Sequence, residues 1–175
     1  MGSLRELLAT DHRQALEFFF QRLKDVSEPN VDQDELLYNA SVLAHYAQVS
    51  TQAEFELPAP ANLSVFFDHF VFDSRLHEGP MLETAGAQCL VLVGFFEDQM
   101  RRRHNVGWYA EIGATFLSRA AVREPSPPKA RLLDSIARRF EAWRQRQARL
   151  SRDLRDQPFL LTPPRPPASG LPSSR

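Results

Sequence analysis

From Lys129 to Arg155 the chain contains neither glycine nor proline, and Leu133, Ile136, Phe140, Trp143, Gln147, Leu150 and Leu154 recur at alternating spacings of three and four. A period near 3.5 residues places all seven on one stripe of a helix. The composition of the stretch, rich in Arg, Ala, Leu and Gln, favours the same state. A helix with such a seam must hide it. Either the seam closes the chain's own core, or it docks a second helix and makes a homodimer or a complex with a protein partner. Gln147 at a seam position lowers stability but can set the register of whatever packs there.

The same stretch carries 9 basic and 3 acidic side chains, and it belongs to a wider imbalance. Residues 1–99 hold 5 basic and 16 acidic side chains, whereas residues 100–175 hold 16 basic and 6 acidic ones. The whole chain nevertheless sits at a net charge of -1. An acidic half followed by a basic half marks either a surface for an acidic partner or two halves that pair with each other in the fold.

Upstream, the same 3.6-residue logic assigns further helices. Ser3 with Glu6 opens one over about 4–26, whose apolar positions include Phe18, Phe19 and Leu23. Asp32 with Glu35 resembles a capping box and opens a second, with Leu36, Ala40, Leu43, Ala44 and Ala47 on its apolar face. Pro58 and Pro60 mark a connection, after which Leu63, Phe66, Phe67, Phe70 and Val71 fit a short helix. Pro80 suits the first turn of a long helix from Met81 to about Arg103, apolar nearly all round at its middle and therefore central. A buried strand over 88–96 is the competing assignment there. Gly86 and Gly94 leave room for another helix to come close. A fifth helix runs from Trp108 to near Ala121, and EPSPP at 124–128 breaks the chain before the basic helix. From Pro158 onward the composition is Pro, Ser, Leu and Arg without period, which predicts a disordered tail.

The expected architecture is all-α: an irregular bundle of about six helices forming one domain over 1–155, with a disordered Pro-rich tail over 156–175. No apolar run approaches the roughly 20 residues needed to span a bilayer, and MGSLRELLATD lacks a secretion pattern, so a cytoplasmic protein without a membrane partner is expected. Cys89, the sole cysteine, lies in an apolar run and reads as a buried thiol.

Signatures of catalysis are missing. The sequence has no Gly-rich phosphate loop, dinucleotide fingerprint, His-Glu-x-x-His pattern or Gly-x-Ser-x-Gly elbow, and none of His12, His45, His69, His77 and His104 pairs with another at ligand spacing. No catalytic residue, metal ligand or cofactor site is assigned. Arg101, Arg102 and Arg103 form the densest positive cluster and have two readings. They complement the dipole at a helix C-terminus, or they form an anion-binding patch joined by the last helix.

The run GFFEDQMRRRHNVGWYAEIGATFLSRAA at 94–121, and more faintly LLYNASVLAHYA at 36–47, resemble segments of a family of uncharacterised bacterial all-helical proteins. That resemblance implies a bacterial origin and a helical fold, and brings no site residues with it. The functional expectation is a non-enzymatic regulatory or adaptor protein acting through macromolecular interaction. One alternative is an enzyme or small-ligand binder with a pocket between aromatic helices, for which Tyr38, Tyr46, Trp108 and Tyr109 are available. The other is nucleic-acid binding through the Arg-rich C-terminal half, the less favoured partner because no recognised motif accompanies it.

Overall fold

The computed structural model describes residues 12–51, 78–102 and 104–156, and within them the fold is an all-helical bundle. Seven helices are described: α1 His12–Asp25, α2 Gln33–Thr51, α3 Gly79–Val93, α4 Glu97–Met100, α5 Val106–Arg123, α6 Pro127–Arg138 and α7 Phe140–Asp156. The expected start of the first helix at residue 4, the short helix over 63–71, Arg103 and the tail from residue 157 lie outside the described residues.

Local signals place most of the boundaries. Asp32 Oδ1 accepts from the backbone N–H of Asp34 at 2.9 Å and of Glu35 at 3.0 Å, so the start of α2 is capped as its sequence suggests. The other half of the capping box does not form, because the Glu35 carboxylate turns into the bundle instead. Pro80 occupies the first turn of α3, where a missing N–H costs nothing. Asn105 caps α5 by accepting from Trp108 N at 3.1 Å. Pro127 and Pro128 open α6, so the helix begins inside the EPSPP run and only Glu124–Ser126 form the break.

Two helices expected to be continuous are interrupted. The one drawn from Met81 to Arg103 stops at Val93, which leaves Gln88 to Val93 helical and removes the strand alternative. Phe96 N then bonds back five residues to Val91 O at 3.1 Å, a π-type turn. Here α7 comes close: a Cβ on Gly94 would lie 2.9 Å from Gln147 Cβ. The one drawn from Lys129 to Arg155 kinks at Arg139, which has φ -103° and ψ 21°. No glycine or proline marks this kink; it falls where Arg139 reaches across to Glu35 and Phe140 packs at the Gly113 backbone.

Packing pairs α1 with α2, α3 with α5 and α5 with α6, and α7 touches α1, α3 and α5. Helices α3 and α5 run antiparallel, since Gly79 lies against Arg123 and Gly86 against Leu117. They meet through small residues: a Cβ on Gly86 would sit 2.6 Å from Leu117 Cγ, and one on Gly113 would sit 2.6 Å from both Cys89 Cβ and Phe140 Cζ. Backbones can approach this closely only where side chains are missing. Cys89 is fully buried there and burial pushes its thiol pKa up, so it packs as a small apolar residue.

The seam of the basic region is spent inside the chain. Leu133, Ile136, Phe140, Trp143, Gln147, Leu150 and Leu154 are each between 0 and 3% exposed. A partner helix could reach them only by displacing helices of this chain, so contact with a second molecule has to use another face. No helix among the described residues is long and apolar enough to cross a membrane.

Candidate anion-binding cleft

The two halves of the charge imbalance meet across the bundle. Glu35 is buried on α2 and accepts from Ser135 Oγ, from Arg139 Nη1 at 3.1 Å and from Trp143 Nε1 at 2.6 Å. One turn on, Asn39 accepts at Oδ1 from Gln147 Nε2 at 2.9 Å and donates from Nδ2 to Glu35 O at 2.9 Å. Gln147 Oε1 has no partner among the described residues. Arg146 pairs with Glu28 at 2.8 Å and stacks on Trp143, 4.5 Å from the ring centroid. Lys129 bridges Glu83 at 2.9 Å and Glu124 at 3.5 Å. Much of the C-terminal positive charge therefore answers carboxylates of the N-terminal half.

At one place arginines outnumber the carboxylates they meet. The π-type turn after α3 swings Glu97 toward α7, where it is buried. Its Oε1 accepts from Arg101 Nε at 3.0 Å and Arg144 Nη1 at 2.8 Å, and its Oε2 from Arg152 Nη2 at 2.8 Å. Burial alone would raise the pKa of this carboxyl, but the hydrogen bonds and charge of Arg144 and Arg101 hold it below the usual carboxylate range. Beside these residues opens a cavity of about 290 Å³, lined by Glu97, Arg101, Arg144, Gln145, Ala148, Arg149 and Arg152.

Ala148, itself buried, lines the cleft between Arg144 and Arg152, one turn to either side along α7. Arg144 is largely withdrawn, with its side chain 11% exposed, and it also pairs with Glu141. Arg101 and Arg152 stay open, at 62 and 51%. Arg149 is exposed and donates from Nη1 to Val26 O at 3.0 Å. Arg152 also lies 3.5 Å from Asp98. Four guanidinium groups thus face three carboxylates, Glu97, Asp98 and Glu141, and the surplus is positive.

Of the arginine cluster singled out by sequence, Arg101 joins this cleft, Arg102 is exposed just beyond it, and Arg103 lies outside the described residues. The helix whose C-terminus these arginines were expected to complement stops at Val93; Arg101 instead follows the short α4, with its side chain paired to Glu97. Sequence reasoning missed Glu97, Arg144, Ala148, Arg149 and Arg152 as one group. A signal was present: a small residue flanked at four-residue spacing by arginines makes a notch in a basic helix face.

Of the four aromatic residues named from the sequence, Trp108 packs edge-on against Tyr109, with 4.9 Å between ring centroids. Tyr38 donates to Glu83 Oε1 at 3.0 Å, Tyr46 packs edge-on against Phe96 with its hydroxyl pushed up to about 12 by burial, and Tyr109 is buried in the core. Among the described residues no three His, Cys, Asp or Glu side chains come together as metal ligands. No protein-family model, curated protein or solved structure matches this chain.

Proposed function

We propose that the chain is a non-enzymatic helical regulatory or adaptor protein that acts by binding another macromolecule, and that the arginine cleft over Ala148 is its contact point. The observation that carries this reading is the cleft's positive surplus, set on packed helices and open to solvent. With the Leu133 to Leu154 seam buried, contact through an acidic group of a protein partner is the form of interaction that remains open to the C-terminal helix. Nucleic acid is the weaker choice. A phosphate backbone is held by a row of free cations, and here Arg139, Arg144 and Arg146 are already tied to Glu35, Glu97 and Glu28.

The test compares the full chain with an Arg149→Glu variant as bait in an extract of the native host, after thermal melts show both folded. Proteins retained by the native chain and lost by the variant are expected. An identical set on both baits sinks the reading. Tight, salt-sensitive binding of labelled DNA or RNA to the native chain would transfer the cleft to the nucleic-acid alternative.

A further inference from the structure

We infer that the cleft is built to hold a phosphate group, so that the acidic group entering it is a phosphorylated side chain; the choice of a protein as its bearer rests on the function proposed above. The inference comes from counting donors. Arg101 spends Nε and Nη2 on Glu97, Arg152 spends Nη2 on Glu97 and Asp98, and Arg149 spends Nη1 on Val26 O. Nη1 of Arg101, Nε and Nη1 of Arg152 and Nε and Nη2 of Arg149 have no bond among the described residues, and all three side chains line the same cavity.

Three arginines with unspent donors line the cavity from separate points of the chain, one at the end of α4 and two on successive turns of α7. A planar carboxylate offers two oxygens and pairs best with one guanidinium fork, as Glu141 does with Arg144. A phosphate monoester offers three acceptor oxygens in a tetrahedral array and about -1.5 to -2 charges at neutral pH, which suits three cations arranged around a cup. Glu97 lines the same cavity and takes part of the donor capacity of Arg101, Arg144 and Arg152, but its bonds also fix these side chains in place, so that little side-chain freedom is lost when the anion arrives. Ala148 keeps the cup open, and the about 290 Å³ available leaves space for atoms attached to the phosphate.

The probes are a fluorescently labelled phosphoserine peptide of otherwise neutral sequence, the same peptide with serine or glutamate, and inorganic phosphate as competitor. Binding to the full chain is read by anisotropy at fixed ionic strength. The phosphopeptide is expected to bind saturably and at least tenfold tighter than either counterpart. It should tighten as pH rises from 5.5 to 7.5, because the second phosphate ionisation lies at about 6. Arg149→Gln and Arg152→Gln should each weaken it by about tenfold, and Ala148→Leu, which fills the cup while keeping every arginine, should abolish it. Arg131→Gln, an exposed arginine on α6, should leave it unchanged.

Equal affinity for the phosphoserine and glutamate peptides, or full binding by Ala148→Leu, overturns the inference. If the bait experiment retains partners through Arg149 and phosphatase treatment does not release them, the proposed function stands and the phosphate inference falls. If inorganic phosphate binds saturably and is blocked by Ala148→Leu while no peptide binds, the phosphate site stands and its protein bearer falls.

Discussion

Two of the bundle's interfaces are built on opposite principles. Between α3 and α5 the contact is dry and close, made by Gly86, Gly113, Cys89 and Leu117, with no polar side chain needed to define it. Between α2 and the α6–α7 arm it is wired: buried Glu35, Asn39, Trp143 and Gln147, joined at the edge by half-buried Ser135 and exposed Arg139, form a polar chain set among Leu36, Leu43, Ile136 and Leu150. The dry interface is specified by shape, which admits sliding unless neighbours lock it. The wired one is specified by partner identity, because a shift of one turn would leave a carboxylate and two amides buried without bonds. The polar chain therefore sets how the basic arm lies against the acidic half, and thereby where the arginines of α7 end up.

Substitutions can break that contrast, and the largest effect is expected at Trp143. Replacing this fully buried ring with alanine removes packing and Glu35's indole donor together, and should cost about 3–5 kcal/mol in urea unfolding. Trp143→Phe keeps most of the ring and removes the donor, so a loss of about 1–3 kcal/mol isolates the polar contribution. A Phe variant as stable as the native chain would show that the wiring contributes nothing to stability.

The dry interface is probed by Gly113→Ala, whose new Cβ would fall 2.6 Å from Cys89 Cβ and Phe140 Cζ. Overpacking of this kind should cost about 1–3 kcal/mol, read from the denaturation midpoint. A neutral result would mean α3 and α5 can separate freely, and the contrast would lose one of its sides.

Asn39→Leu and Gln147→Leu sharpen the comparison further. Each alone strands the other's amide in the core and should cost about 1–3 kcal/mol, whereas the double variant should recover most of that loss. Recovery would identify the amide pair as a device for register. Losses that simply add would show instead that each amide acts independently.

The smallest effect is expected from acid. The pKa of Glu97 is held below its ordinary value in the folded chain, so its pairing stabilises fully above the unfolded carboxyl value of 4.5 and is lost as pH falls through the lower folded one. Glu97→Gln should flatten the fall in melting temperature below pH 4.5. Some slope should remain, because Glu28 and Glu141 are lowered in the same direction by Arg146 and Arg144. An unchanged acid limb would mean that the arginines do not depend on this carboxylate for their placement.

The sequence made the helices legible because their signals are local. The 3.6-residue period, the Asp32 and Asn105 caps and the prolines at 80, 127 and 128 act over a turn or two of chain, and the described helices follow them closely. The two breaks were harder. Gly94 was visible as a place for close approach, but not the π-type turn that forms around it, and the kink at Arg139 has no local marker. For the site, Arg101 was singled out by its neighbours, while Glu97 looked like one more acidic residue on a helix and Arg144, Arg149 and Arg152 looked like a solvated basic face.

What the amino-acid order determined by itself is the helical state, the apolar stripes and the separation of negative from positive charge along the chain. Each is a sum over nearby residues, and nearby residues are fixed by the covalent chain. Only the tertiary structure decided that Glu35 meets Trp143 across 108 positions and that Glu97 meets Arg152 across 55. Coulomb attraction and hydrogen bonding depend on distance in space, and any of the acidic side chains could have answered any arginine until the close contacts at Gly86, Gly94 and Gly113 and the polar chain around Glu35 together fixed which faces came together.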